Sequence, residues 1–100
     1  ILSELYLDSN RLTTLEPKVF ECLPNLRILS LSKNLFLSLD RQYFNGISIY
    51  IRRLILNFNK IQSLRKVHFS YLNNLRILSI NNNQISSIHK NTFENLEYFE

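Results

Sequence analysis

Residues 26–34 read Leu-Arg-Ile-Leu-Ser-Leu-Ser-Lys-Asn, and residues 75–83 repeat this stretch as Leu-Arg-Ile-Leu-Ser-Ile-Asn-Asn-Asn. Two weaker copies lie at residues 2–10 and 51–59. Copies therefore start near positions 2, 26, 51 and 75, a fifth begins at 99, and the steps are 24, 25, 24 and 24 residues. Self-similarity at a period of roughly 20 to 50 residues indicates a repeat architecture.

The first part of each copy alternates apolar residues with one intervening residue. Leu29 and Leu31 flank Ser30 in the second copy, and Leu54 and Leu56 flank a residue in the third. Alternation predicts a short strand with one face turned inward. Because the connections between successive strands are about twenty residues long, the strands are expected to pair in a parallel sheet.

One column of equivalent positions, meaning the same slot in successive copies, is polar throughout. It holds Asn10, Asn34, Asn59 and Asn83. A side-chain amide supplies both a donor and an acceptor, and the chain must turn after each strand, where backbone groups lose their sheet partners. The column predicts an asparagine ladder inside these turns.

The return leg of each copy carries a phenylalanine column of Phe20, Phe44, Phe69 and Phe93, with Leu or Ile three residues later. This spacing favours a short helical turn or an irregular segment whose phenylalanine lies in the core. The third step is one residue longer than the others and follows the only glycine, Gly46. The repeat geometry is therefore expected to be least regular at residues 45–51.

These positions resemble the leucine-rich repeat family, whose consensus LxxLxLxxNxLxxLxxxxFxxLxx is met in every copy. The resemblance implies an α/β fold: a solenoid of about four repeats in a right-handed arc, with a concave parallel β-sheet and an irregular or short-helical convex side. The 24-residue length is similar to that of Toll-like, slit-like and small-proteoglycan ectodomains. It implies an extracellular or cell-surface location and a membrane-anchored parent, with a cytoplasmic location as the alternative.

We expect residues 1–100 to form a single repeat array cut from a longer solenoid without its caps. Terminal repeats of a solenoid need polar closing faces. The segment expressed alone is therefore expected to aggregate or to fold only in part.

Residues suited to catalysis are few and scattered. His68 and His89 are expected on a solvated convex edge, Glu16 and Asp40 share a column that reads as a solvated acidic edge, and Cys22 reads as a semi-buried free thiol. No metal-ligand spacing or glycine-rich phosphate loop is found, and no Asn-x-Ser/Thr sequon occurs. The sequence predicts neither an enzyme nor a cofactor.

The formal net charge of +4 is spread along the chain, which argues against a nucleic-acid partner. No apolar run of 18 residues or more occurs, so this segment is not expected to contact a membrane directly. A basic stripe of Arg27, Arg52 and Arg76 favours an acidic partner or a sulfated glycan. In the second copy Leu35 and Leu37 fill slots that are polar elsewhere and mark a possible contact patch.

The outward positions of the predicted sheet are the candidate ligand-binding site, because solenoids bind extended partners on such a face. The candidate residues are Glu4, Tyr6, Asp8, Ile28, Ser30, Lys33, Arg53, Ile55, Asn57, Phe58, Ile77, Ser79 and Asn81. Large apolar side chains without a core role are typical of protein interfaces. We therefore expect a module that binds a protein ligand or co-receptor. The alternatives are an intracellular scaffold and the recognition region of a larger signalling enzyme.

Overall fold

The computed structural model describes residues 2–16, 19–21, 23, 25–44, 50–69, 72–89 and 91–93. Its elements, in chain order, are β1 (Glu4–Tyr6), β2 (Ile28–Ser30), a 3₁₀ helix (Arg41–Phe44), β3 (Arg53–Ile55), β4 (Ser63–Leu64), α1 (Lys66–Phe69), β5 (Ile77–Ser79) and β6 (Ser87–Ile88). Each repeat thus contributes a strand of three residues to one sheet, and two repeats contribute a helical turn on the return leg.

The main sheet is parallel, with the strand order β1-β2-β3-β5. Its register aligns Leu5 with Leu29, Leu29 with Leu54, and Leu54 with Leu78. The sheet and its columns are those that the repeat predicts. The register is kept from β2 to β3 across the 25-residue step, although residues 45–49, where irregularity is expected, lie outside the described part of the chain.

The core lies between the sheet and the return legs. The inward leucines of the central strands are fully buried, and Phe20, Phe44 and Phe69 are almost completely excluded from solvent. Phe93 is half-buried and its ring centroid lies 5.6 Å from that of Phe69. The phenylalanine column is therefore a core element, as predicted.

The asparagine column forms the predicted ladder, with Asn34 and Asn59 buried. Asn59 Nδ2 donates to the carbonyl oxygens of Leu31 at 3.0 Å and Leu56 at 3.1 Å, and its Oδ1 accepts the backbone N–H of Phe36 at 3.2 Å. Asn34, Asn59 and Asn83 each bond backbone groups of their own turn and of the preceding repeat, whereas Asn10 bonds carbonyl oxygens of its own turn. The ladder therefore runs through the backbone, which is how it satisfies the polar groups of the turns.

The convex side differs from expectation at two places. Strands β4 and β6 pair in a second, two-stranded parallel sheet that the repeat pattern did not predict. His68, expected on a solvated edge, is instead buried on α1, where its Nδ1 accepts the backbone N–H of Arg65 at 3.2 Å. Its ring packs against that of Phe69 with the centroids 6.2 Å apart. His89 is exposed, as predicted.

Candidate functional site

The outward side of the four-stranded sheet, opposite the core, is called the concave face below. The register places Glu4, Ile28, Arg53 and Ile77 in one row across the strands, and Tyr6, Ser30, Ile55 and Ser79 in a second row. The remaining candidates, Asp8, Lys33, Asn57, Phe58 and Asn81, follow directly after the strands. The fold therefore places the candidate residues on the outward side of the sheet or within three residues of its strand ends.

Three large apolar or aromatic side chains of the concave face are exposed to solvent. Tyr6 is 55% exposed, Phe58 51% and Ile77 43%. Ile28 and Ile55 are half-buried beside them. None of these side chains belongs to the hydrophobic core cluster, so packing of the core does not explain their size. A surface of this kind can bury apolar area against a partner.

Phe58 also has an unusual backbone conformation. Its φ angle is 59°, and the equivalent residues Ser9, Lys33 and Asn82 have φ angles of 60°, 57° and 58°. The left-handed region suits asparagine or glycine, whereas a bulky residue there is a genuine outlier. The Phe58 N–H donates to the carbonyl oxygen of Asn81 at 2.9 Å, which fixes the turn. The phenylalanine thus occupies a position where its own backbone preference is unfavourable.

Tyr6 is oriented by an acidic neighbour on the same face. Its hydroxyl donates to Glu4 Oε1 at 2.7 Å. This hydrogen bond raises the pKa of Tyr6 above its ordinary value, because it stabilises the protonated hydroxyl beside the Glu4 carboxylate. Arg53 lies in the row that begins with Glu4 and offers the face a positive charge. The face therefore combines apolar area with fixed polar groups of both signs.

Ser30 is a correction to the candidate site. It faces outward from β2 but is only 2% exposed, because its hydroxyl donates to Asp8 Oδ1 at 2.5 Å. The same oxygen accepts the backbone N–H of Ser32 at 3.2 Å. In the same way, Asn57 Oδ1 accepts the backbone N–H of Asn81 at 2.7 Å. Asp8, Ser30 and Asn57 therefore stabilise the strand ends, and Ser30 is closed to a ligand in this structure.

A cleft lies where the strands begin, at the opposite end of the sheet from Phe58. Its volume is about 210 Å³ and it is lined by Arg27, Tyr50, Arg52 and Asn74. The guanidinium carbon of Arg27 lies 5.2 Å from the centroid of the Tyr50 ring. The Tyr50 ring therefore supports Arg27, which is one of the three arginines of the basic stripe along this edge.

The described part of the chain offers little for catalysis. Within it, no group of three His, Cys, Asp or Glu side chains is placed to hold a metal ion. Glu16 and Asp40 are exposed, and the Asp40 carboxylate accepts the backbone N–H of Gln42 at 2.9 Å. Among the described helices, none is long and apolar enough to cross a membrane. Cys22 lies outside the described residues.

Comparison with solved structures agrees with the fold. A structure of the Toll–Spatzle complex of Drosophila development and innate immunity matches 99% of this chain and 13% of its own, with a TM-score of 0.91 and 22% identity. A crystal structure of a TLR13–ssRNA13 complex matches 99% of this chain and 17% of its own, with a TM-score of 0.74 and 23% identity. Both likenesses concern the fold.

Sequence comparison finds leucine-rich repeat-containing protein 3B from cattle, mouse and human. Each is 42% identical over 50 residues, which is half of this chain and 19% of the relative. The chain thus matches only a small part of the length of these curated relatives. The family model described as leucine rich repeat matches residues 2–49 and again residues 49–98. Since the two matches together span nearly the whole chain, the protein belongs to the leucine-rich repeat family.

Proposed function

We propose that this chain is a protein-binding leucine-rich repeat module that recognises a protein ligand or co-receptor through its concave face. The observation that carries the proposal is the exposure of Tyr6, Phe58 and Ile77 on a face where the core requires no large side chain. The Toll neighbour, solved with Spatzle, supports a protein partner for this kind of fold.

The composition of the concave face supports a protein partner. Binding energy at protein interfaces is concentrated in a few aromatic and arginine side chains surrounded by weaker contacts. Tyr6 and Phe58 supply aromatic area, and Arg53 supplies a charge that can orient a partner. The hydrogen bond from Tyr6 to Glu4 reduces the side-chain freedom that would be lost on binding.

We further propose that the module is part of the ectodomain of a receptor, an adhesion protein or a secreted matrix protein, and not of an enzyme. The likeness to Toll and TLR13 ectodomain-type solenoids supports an extracellular or cell-surface location. An intracellular scaffold and the recognition region of a larger signalling enzyme remain the alternatives, because leucine-rich repeats also occur in intracellular proteins. We also propose that residues 1–100 form a single repeat array within a longer solenoid.

A nucleic-acid partner is not excluded by the fold. The scattered charge of the sequence argued against one, but the TLR13 neighbour was solved with a single-stranded RNA. This neighbour weakens the expectation that a chain of this fold has no nucleic-acid partner. We favour a protein partner because the largest exposed side chains of the concave face are apolar or aromatic. In addition, Arg53 is the only arginine among the described residues of the strands.

The proposal is tested with the fluorescent, tetramerised protein on an array of purified cell-surface and secreted ectodomains, with single-stranded RNA spotted on the same array. Each ectodomain that binds is then titrated against Phe58→Ala and Arg53→Glu. Removing an interface anchor costs about 2 kcal/mol or more, so we expect the affinity to fall at least about thirtyfold in each variant.

Two substitutions on the return leg serve as matched controls. Val67→Ala removes an exposed apolar side chain from α1, and Arg65→Glu reverses the charge of an exposed arginine. Both should bind the ectodomain like the wild type. Equal affinity in the concave-face variants and these controls would remove the concave face from the proposal. Binding to RNA alone would replace the protein partner by a nucleic acid.

A further inference from the structure

The edge of the sheet where the strands begin carries arginine in three successive repeats. The backbone N–H of Arg52 donates to the carbonyl oxygen of Arg27 at 2.9 Å, and that of Arg76 donates to the carbonyl oxygen of Arg52 at 2.8 Å. Neighbouring strands lie about 4.7 to 4.9 Å apart, so these side chains leave the backbone one strand apart. The fold thus places three arginine residues at a regular backbone spacing along this edge.

Tyr50 distinguishes this edge from a row of arginines that contact only solvent. The equivalent slot holds Asn25 in the preceding repeat and Asn74 in the following one. In the repeat with the longer step, an aromatic ring therefore replaces an amide. The ring lies 5.2 Å from the guanidinium carbon of Arg27, within the range of a cation–π interaction.

Arg27 is consequently held in place before a ligand arrives. It is half-buried, its Nη1 donates to the carbonyl oxygen of Leu26 at 3.4 Å, and its charge faces the Tyr50 ring. A guanidinium that is already ordered loses less side-chain freedom on binding an anion. Its planar fork also presents paired N–H groups that suit an oxyanion with several acceptor oxygens.

The cleft beside this arginine suits a sulfated sugar in size and chemistry. A water molecule takes about 30 Å³ of liquid volume, and the cleft of about 210 Å³ admits a considerably larger group. Its described lining offers N–H donors and one phenolic hydroxyl, with neither a carboxylate nor an aliphatic side chain. Among the described lining residues, the Tyr50 ring, which already faces Arg27, is the main apolar surface for a peptide side chain, whereas sulfate oxygens would find the N–H donors of two arginines.

We propose that the cleft and the arginine row bind a sulfated polysaccharide, with a sulfate ester seated between Arg27 and Arg52. The hydroxyl of Tyr50 then faces the sugar. The polysaccharide runs along the row from repeat to repeat, since the row follows the strand order. This site lies outside the concave face and does not rest on a protein partner binding there.

The test measures the affinity of the protein for heparin of defined length. Arg27→Gln and Arg52→Gln each remove one charge-assisted contact, and we expect each to weaken binding about fivefold or more. Arg11→Gln removes the same charge from an exposed arginine away from the row and should change the affinity less than about twofold. Heparin stripped of its sulfate groups should not bind measurably.

Tyr50 provides a second, independent measurement. Tyr50→Leu removes the ring beside Arg27 and should weaken heparin binding, whereas Tyr50→Phe keeps the ring and should bind within about twofold of the wild type. Far-UV circular dichroism checks that each variant is folded. Because Arg52 is exposed, Arg52→Gln keeps the test decisive if Arg27→Gln does not fold.

Three outcomes would overturn the proposal. The first is equal weakening by Arg11→Gln and Arg52→Gln, which would mean a diffuse charge effect. The second is a polyglutamate peptide that binds as tightly as heparin with the same dependence on Arg52, which would assign the cleft to acidic peptides. The third is unchanged binding in both row variants. Phe58→Ala should retain heparin affinity, so failure of the concave face and failure of this site are distinguishable.

Discussion

The side chain of Asn59 holds together two turns of the backbone. Its Nδ2 hydrogens serve carbonyl oxygens of its own turn and of the preceding repeat, and its Oδ1 accepts the N–H of Phe36. Leucine has a similar volume but neither donates nor accepts, so Asn59→Leu leaves several buried backbone groups unpaired. At about 1 to 3 kcal/mol for each unpaired group, we expect a loss of about 3 kcal/mol or more, measured by urea denaturation.

The matched control for this substitution is Asn10→Leu. Asn10 is exposed and its Nδ2 donates to the nearby carbonyl oxygens of Leu7 at 3.0 Å and Asp8 at 3.4 Å. Water can replace the amide there, so the loss should stay below about 1 kcal/mol. An unchanged unfolding midpoint in Asn59→Leu would contradict the structural role of the ladder.

Phe58 offers a residue at which stability and binding should change in opposite directions. Asparagine tolerates its left-handed backbone better than phenylalanine does, and Asn82 already fills the equivalent slot. We expect Phe58→Asn to stabilise the protein by about 0.5 to 1 kcal/mol in urea denaturation, while affinity for the concave-face ligand falls. If the variant were instead less stable, the exposed ring would be contributing to the fold.

The stability of the protein should depend on the ionisation of His68. Burial lowers the pKa of His68 below its ordinary value near 6.5, and the charge of Arg65 lowers it further. His89 acts in the same direction, whereas Asp40 opposes it. The unfolded chain therefore binds the proton more readily than the folded one. Stability is retained above about pH 6.5 and is lost as the pH falls through the folded-state pKa.

This pH dependence is measured by urea denaturation between about pH 7.5 and pH 5. The midpoint of the wild type should fall more steeply with acid than that of His68→Gln. His89→Gln removes the smallest of the influences on His68 and should stay closer to the wild type than His68→Gln does. Parallel curves for the wild type and His68→Gln would show that His68 does not carry the effect.

Single residues show where sequence reasoning ends. Leu29, Leu54 and Asn59 could be assigned from the sequence because their slots repeat and their roles are the same in each copy. Ser30 could not, since its burial depends on the Asp8 carboxylate, 22 residues earlier in the chain. A serine at an outward slot looks solvated until the neighbouring repeat is placed beside it. The burial of His68 likewise depends on neighbouring segments.

At the scale of elements, the short helix α1 contributes to stability chiefly through a buried phenylalanine. Phe69 is almost fully excluded from solvent, and its ring packs near those of His68 and Phe93. Truncation to alanine removes this contact and leaves a cavity, so Phe69→Ala should cost about 3 to 5 kcal/mol in urea denaturation. Val67→Ala, on the exposed side of the same helix, should stay within about 0.5 kcal/mol.

The convex sheet shows which elements the repeat alone does not predict. Strands β4 and β6 are each two residues long, too short for an alternating pattern to stand out. A signal was nevertheless present, since Leu64 and Ile88 share a column and pair in register. The longer and more regular main sheet was predictable because its three-residue strands recur in four copies with the same alternation.

At the scale of the whole molecule, stability should differ from one repeat to the next. Each repeat of a solenoid contacts only its neighbours, so the energy is roughly a sum over repeats and their interfaces. The inward leucines of β2 and β3 are fully buried, whereas Leu5, Leu7 and Leu78 are half-buried. The central strands therefore lie between well-packed neighbours, and β1 packs less completely.

Hydrogen exchange of the folded protein measures this difference directly. The N–H of Leu31 donates to Ile55 at 2.8 Å beside fully buried side chains, and the N–H of Leu7 donates to Ser30 at 2.9 Å beside half-buried ones. The two hydrogen bonds are alike in length, so local packing should decide which opens first. We expect Leu31 to exchange at least about tenfold more slowly than Leu7, because opening the central strands exposes more apolar surface. Equal protection at both amides would mean that the repeats open together, and the stability of this array would then be a property of the whole chain and not of its individual repeats.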